Sequence, residues 1–117
     1  MGVRVFQLPG CTSCRNAAAW LSEHRVPVEY RHIRSEAPSR DELAAMAALH
    51  AGGAAGLCSS RSVRFRELNL AGREFTDAEW LDLLASEPKL LRRPLITDGR
   101  RLVVGFDRRG LEALERA

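Results

Sequence analysis

An α/β sandwich built on a mixed four-stranded sheet is predicted by three features of the chain. Two short segments near the N-terminus alternate apolar residues with others, and a stretch of helical period separates them. Two Ser/Thr-x-x-Glu capping boxes, Ser39–Glu42 and Thr76–Glu79, mark helices in the middle. An Asp98-Gly99 pair joins two apolar runs near the C-terminus, as a hairpin turn does.

Each element has a local cause. Val3, Val5 and Leu8 alternate in a segment that Pro9-Gly10 stops, which makes it a strand. From Cys11 the period changes: Ala17, Trp20, Leu21 and His24 recur at helical spacing, and Ala17–Ala19 favours helix. Val26 to Ile33 alternates again and predicts a second strand, with Pro27 tolerated near its start. The helix opened by Ser39 is expected to end near Gly52-Gly53. Ala51 to Gly56, small and glycine-rich, reads as a flexible joint. Ser59 to Leu68 reads as a resumed helix with Val63 and Leu68 inward. The helix capped by Thr76 places Trp80, Leu81, Leu83 and Leu84 on one face and is closed by Pro88. Leu95–Thr97 and Leu102–Val104 are the hairpin strands, and Asp107 to Arg116 is a short terminal helix with Leu111 and Leu114.

Strand, helix, strand, helical middle, strand, strand, helix is the order of a thioredoxin-like sandwich with a helical insertion at about residues 38–90. At 117 residues the chain is expected to form one domain, residues 1–117, since two cores would each be too small. With 45% hydrophobic and 28% charged residues it is neither a disordered chain nor a membrane protein. No apolar run approaches a bilayer-spanning length, and a cytoplasmic protein is expected. The net charge of +3 argues against direct nucleic-acid binding, which needs a concentrated basic face. All basic residues but Lys89 are Arg, a side chain suited to planar oxyanions.

Three cysteines, two of them in Cys11-Thr12-Ser13-Cys14, do not make a disulfide scaffold. A thiol reacts as thiolate, and three features favour that form at Cys11: a helix N-terminus, the free amides of its first turn, and Arg15 nearby. Cys11 is thus the predicted nucleophile. Cys14, one turn on, is placed to attack a mixed disulfide at Cys11 and resolve it. A zinc site would need two more ligands, and Cys58, His24, His32 and His50 lack the paired spacing, so no metal and no bound cofactor are expected. Arg93-Pro94 precedes the third strand, where Pro94 would lie beside the CxxC and its bond can be cis. Arg61 and Arg93 are either solvated charges or contacts to an oxyanion or partner. Cys58 reads as a small buried residue.

The segments CTSCR, AWLSEH, Ser60-Arg61-Ser62 and LLRRPLITDGRRLVVGF, with their spacing, resemble the arsenate reductase and Spx family of thioredoxin-like proteins over nearly the whole chain. The arsenate-reducing branch implies a nucleophilic cysteine at Cys11 and oxyanion-binding arginines at Arg61 and Arg93. It also implies electrons from glutathione with glutaredoxin, or from thioredoxin. A third arginine of that branch does not carry over, because Gly105-Phe106-Asp107 stands in its place. Each charge-assisted hydrogen bond of that kind is worth roughly 1.5 to 3 kcal/mol, so arsenate affinity should suffer. The CxxC followed by Arg15 and the Val-Gly-aromatic ending are instead similar to Spx-like regulators. That similarity implies a redox switch that binds the C-terminal domain of the RNA polymerase α subunit, with Gly53 on the partner-binding surface. The expectation is therefore a thiol-disulfide redox protein, either a reductase or a redox-sensing regulator.

Overall fold

The computed structural model describes residues 2–116, and side chains as far as Leu114. Its strands are β1 (Val3–Gln7), β2 (Val28–His32), β3 (Leu95–Thr97) and β4 (Leu102–Val104). They form one mixed sheet in the order β2-β1-β3-β4, with β1 parallel to β2 and antiparallel to β3. Parallel neighbours need a crossover, and α1 (Thr12–Glu23) supplies it. This is the predicted α/β sandwich.

Alternation along β1 assigns the two sheet faces. Val3 and Val5 point to one side, where Ala17, Trp20 and Leu21 of α1 and Leu111 and Leu114 of α5 (Arg108–Arg116) cover them. Phe6 points to the other, into a larger core built with the helical insertion. That insertion comprises α2 (Arg40–Ala48), a 3-10 turn at Ala54–Leu57, α3 (Val63–Glu67), α4 (Asp77–Ser86) and a second 3-10 turn at Pro88–Leu90. Both capping boxes form as expected: Ser39 Oγ accepts from Glu42 N–H and Thr76 Oγ1 from Glu79 N–H, each at 3.1 Å.

Several local expectations are corrected. Val63 does not face inward: α3 is only five residues long, and Val63 at its first position is 61% exposed. Leu68 does pack against the insertion core. The Ala51–Gly56 segment is not a simple flexible joint, because it leads into the 3-10 turn whose Ala54 and Leu57 are fully buried. The second strand starts only at Val28, after Pro27. His24, which continues the helical spacing of α1, is exposed, and its ring stacks on Trp20 with centroids 3.7 Å apart. The hairpin loop is longer than a two-residue turn: Thr97 pairs with Leu102, and Asp98 Oδ1 accepts from the N–H groups of Arg100 and Arg101. Within it Gly99 takes the left-handed conformation, φ 92°.

Glu42 ties the insertion to the sheet. Its carboxylate accepts from Ser39 N–H at 2.9 Å, from Arg4 Nη1 at 2.9 Å and from Arg31 Nη1 at 3.0 Å, so one side chain joins α2 to β1 and β2. Partial burial pushes its pKa up, but the hydrogen bonds from Arg31 and Ser39 and the charges of Arg31 and Arg4 outweigh burial and hold it below the usual carboxylate value. A carboxylate whose folded pKa is depressed stabilises the fold fully above its unfolded value of about 4.3, and that stability is lost as pH falls through the folded pKa. Glu42→Ala is expected to cost about 1–3 kcal/mol at pH 7, from a lost cap and partly exposed ion pairs. Urea unfolding at pH 7 and pH 3 checks this, because the difference between wild type and Glu42→Ala should shrink at the lower pH.

Candidate functional site

The turn Leu8–Gly10 delivers Cys11 from the end of β1 to the start of α1. Cys11 N–H donates to Leu8 O at 3.4 Å, and Gly10 takes φ 82°, a left-handed value that suits glycine. Cys11 is the N-cap of α1, extended at φ −80° and ψ 121°, and its Sγ accepts from Cys14 N–H at 3.4 Å. The sulfur thus occupies the place that Ser or Asp holds at most helix starts, where an orphan amide and the helix dipole both favour a negative charge.

The two thiols differ in environment. Cys11 is half-buried, whereas Cys14 is 2% exposed beneath it; both are free. Partial desolvation raises the Cys11 pKa, but hydrogen bonds from Cys14 and the positive charge of Arg93 outweigh it, and the thiol lies below its ordinary value. Burial first, then the hydrogen bond and charge of Cys11, push Cys14 up to about 11. One sulfur is therefore shifted toward thiolate and the other held as thiol.

Arg93 reaches this site through the sheet. Phe6 pairs with Leu95, which sets the start of β3 beside the end of β1. Pro94 is buried, the Arg93–Pro94 bond is cis, and Pro94 O accepts from Gly105 N–H at 2.8 Å. Arg15 Nη2 donates to Thr12 Oγ1 at 3.2 Å, and Arg93, from the far end of the chain, adds a positive charge that favours the Cys11 thiolate. Arg61 lies exposed in the turn before α3, whose N-cap Ser62 accepts from Phe65 N–H at 3.1 Å. Among the described residues no group of three or more His, Cys, Asp or Glu could hold a metal ion, and no helix is long and apolar enough to cross a membrane.

Residues 6–114 match the ArsC family. The chain belongs to that family. Among relatives of this ArsC-family chain, the regulatory protein MgsR of Bacillus subtilis (strain 168) is 40% identical over 102 residues, 87% of this chain and 81% of that one. The global transcriptional regulator Spx of Streptococcus pyogenes serotype M1 is 39% identical over 105 residues, 90% of this chain and 78% of that one. A solved ArsC family related protein from Bacteroides fragilis superposes with TM-score 0.90 at 31% identity, covering 97% of this chain and 98% of that one. An arsenate reductase from Vibrio cholerae shares the fold, with TM-score 0.80 at 21% identity over 98% of this chain and 97% of that one.

Two further residues of this ArsC-family chain have structural reasons for their identity. Gly53 adopts φ 63° and ψ −154°, a region open essentially to glycine alone, and a Cβ there would stand 3.2 Å from the Asp77 carboxylate. Cys58 packs against the insertion core, and burial pushes its thiol up to about 11. It also forms an isolated bridge with Leu91, flanked by Ser59 N–H to Leu90 O at 2.6 Å and Arg92 N–H to Leu57 O at 2.9 Å. Those bonds fasten the segment leading into Arg93 to the insertion. Sequence reading missed this fastening, since neither stretch has a strand pattern and the pairing is long-range. A groove of about 580 Å³ between β1, β2 and α2 has no lining residue in the thiol site.

Proposed function

We propose that this chain is a thiol-disulfide redox switch of the regulator kind, whose partner is the C-terminal domain of the RNA polymerase α subunit. The observation that carries the redox part is the asymmetry of the pair: an N-cap thiol below its ordinary pKa directly over a buried thiol at about 11. Cys11 thiolate attacks one sulfur of a disulfide, forming a mixed disulfide and expelling the other sulfur as thiolate. Cys14 then loses its proton and attacks Cys11 Sγ, closing Cys11–Cys14 and releasing the second thiol. Two electrons and two protons leave the protein, and a dithiol such as thioredoxin, or two glutathione molecules with glutaredoxin, would return them.

The identity near 40% to MgsR and Spx supports the regulator branch. Against arsenate reduction stand Gly105-Phe106-Asp107, where that branch carries its third arginine, and the exposed position of Arg61. The deciding measurement is titration calorimetry of the isolated α C-terminal domain into the dithiol and the disulfide forms. Saturable binding that differs several-fold between them is expected. Absence of binding in both forms, together with arsenate-dependent thiol oxidation above a Cys11→Ser background, would assign the chain to the reductases instead.

A further inference from the structure

A charged cavity carries an inference that does not depend on the thiols. It has a volume of about 440 Å³ and is lined by Arg34, Arg64, Glu87, Pro88 and Lys89, so three cations meet one carboxylate. Arg64 and Glu87 satisfy each other: Arg64 Nε and Nη2 donate to the two Glu87 oxygens at 2.9 Å and 2.7 Å, and Arg64 Nη1 reaches Glu67 at 3.4 Å. The hydrogen bond from Arg64 holds Glu87 below the usual carboxylate value against some desolvation, and Lys89 adds only a charge. Arg34 and Lys89 are left over. Both are exposed, and among the described residues neither side chain has a hydrogen bond or an ion pair.

The backbone beneath these two cations is held in place. Arg34 N–H donates to His32 Nδ1 at 3.1 Å, Ser35 N–H to the same nitrogen at 3.3 Å, and Glu36 N–H to His32 O at 2.8 Å. Lys89 follows Pro88 in its 3-10 turn, which is closed by Leu90 N–H to Glu87 O at 3.0 Å and Leu91 N–H to Pro88 O at 3.1 Å. Ile33 N–H donates to Gln7 O at 2.8 Å, so Arg34 lies where β1 and β2 finish, the end of the sheet from which the chain runs on to Cys11.

We propose that this cavity docks an acidic segment of a partner protein, with one carboxylate taken by Arg34 and a second by Lys89. Charge complementarity identifies the occupant. With Arg64 matched by Glu87, the lining keeps a surplus of two positive charges, and both sit on side chains that nothing within the chain engages. Arg34 offers a planar fork of donors that fits a carboxylate, and Lys89 a mobile point charge that accepts a range of positions. Size argues for more than a single oxyanion, because the volume falls in the range of about 300–1,000 Å³ that accommodates a whole ligand. The fixed backbone under both cations lowers the ordering cost of binding. A partner held here stands at the end of the sheet from which the chain runs on to Cys11.

The test follows amide chemical shifts of the full chain as a tetraglutamate peptide is added, at about 20 mM and about 200 mM salt. Saturable shifts at the Arg34, Ser35 and Lys89 amides are expected, with an affinity that falls at the higher salt because exposed charges are screened. A tetraglutamine peptide should leave those amides unmoved. Arg34→Ala and Lys89→Ala should each weaken tetraglutamate binding about threefold to fivefold, the size of one exposed charge pair. Arg100→Ala removes an exposed cation in the β3–β4 loop, at the opposite end of the sheet, and should leave the affinity unchanged. Neither Arg34 nor Lys89 has an internal ion pair to lose, and a circular-dichroism melt reports the fold of each variant. Absence of saturable binding overturns the proposal. So does a loss with Arg100→Ala as large as with Arg34→Ala, which would mean diffuse attraction. Inorganic phosphate that binds as tightly as the peptide would also overturn it, by showing a site for a single oxyanion.

Discussion

Cys11→Ser will slow alkylation of the native protein by iodoacetamide at pH 7 by at least about 100-fold, whereas Cys14→Ser and Cys58→Ser will leave the rate within a few-fold of wild type. The size follows from thiolate fractions. A thiol at its ordinary value of about 8.5 is roughly 3% ionised at pH 7, and at Cys11 the hydrogen bonds from Cys14 and the charge of Arg93 shift the balance toward thiolate. Cys14 and Cys58 at about 11 are ionised in roughly one molecule in ten thousand. In Cys11→Ser the Cys14 thiol loses the hydrogen bond and charge that help to raise it, but its burial persists and still denies access to the reagent. In the wild type the rate should fall about tenfold for each pH unit below the Cys11 pKa, since only thiolate reacts. Arg93→Ala should move that inflection upward, because Arg93 is the cation that favours the thiolate, while Arg15→Ala should not. A profile unchanged by Arg93→Ala would refute the assignment of Arg93 as the stabilising charge.

The contrast between Arg15 and Arg93 also marks how far the site was legible in the sequence. Arg15 follows the CxxC directly, and nearness along the chain suggested that it would act on Cys11. In the fold it turns back onto Thr12, and Arg93 arrives from the other end of the chain through the β1–β3 pairing. Nothing local to either residue encodes that pairing. The strand-to-helix placement of Cys11 and both capping boxes were legible, because each depends on residues no more than three or four apart. Val63 misled because α3 is too short for a periodic face to mean anything. Residues 51–56 misled for a different reason. Small residues suggest mobility, yet Ala54 and Leu57 are held by packing, and the Leu57 carbonyl accepts from distant Arg92. Gly53 was singled out by resemblance alone, and the structure adds a backbone reason for glycine at that position.

Leu95→Ala is expected to be the most destabilising single truncation near the site. Leu95 is fully buried on the inner strand β3, opposite both Phe6 and Val104, and belongs to the core shared by the sheet and the insertion. Truncating a leucine so placed costs about 2–5 kcal/mol, because the transfer energy of the lost methyl and methylene groups is joined by the cavity they leave. Against a domain stability of about 5–15 kcal/mol this is a large fraction, and urea unfolding should show the midpoint fall accordingly. Val63→Ala is the matched control: its side chain is already in solvent, so a change below about 0.5 kcal/mol is expected. The two residues thereby set a position where sequence pattern and structure agree, Leu95, against one where they differ, Val63. Leu95 also sits two positions after Arg93, so its loss loosens the segment that carries the charge acting on Cys11. At temperatures where Leu95→Ala remains folded, its alkylation inflection should therefore shift in the same upward direction as that of Arg93→Ala, by a smaller amount. A variant that loses the full stability but keeps the wild-type pH profile would mean that Arg93 is held by the Ser59–Leu90 and Arg92–Leu57 bonds alone, independently of how well β3 is packed.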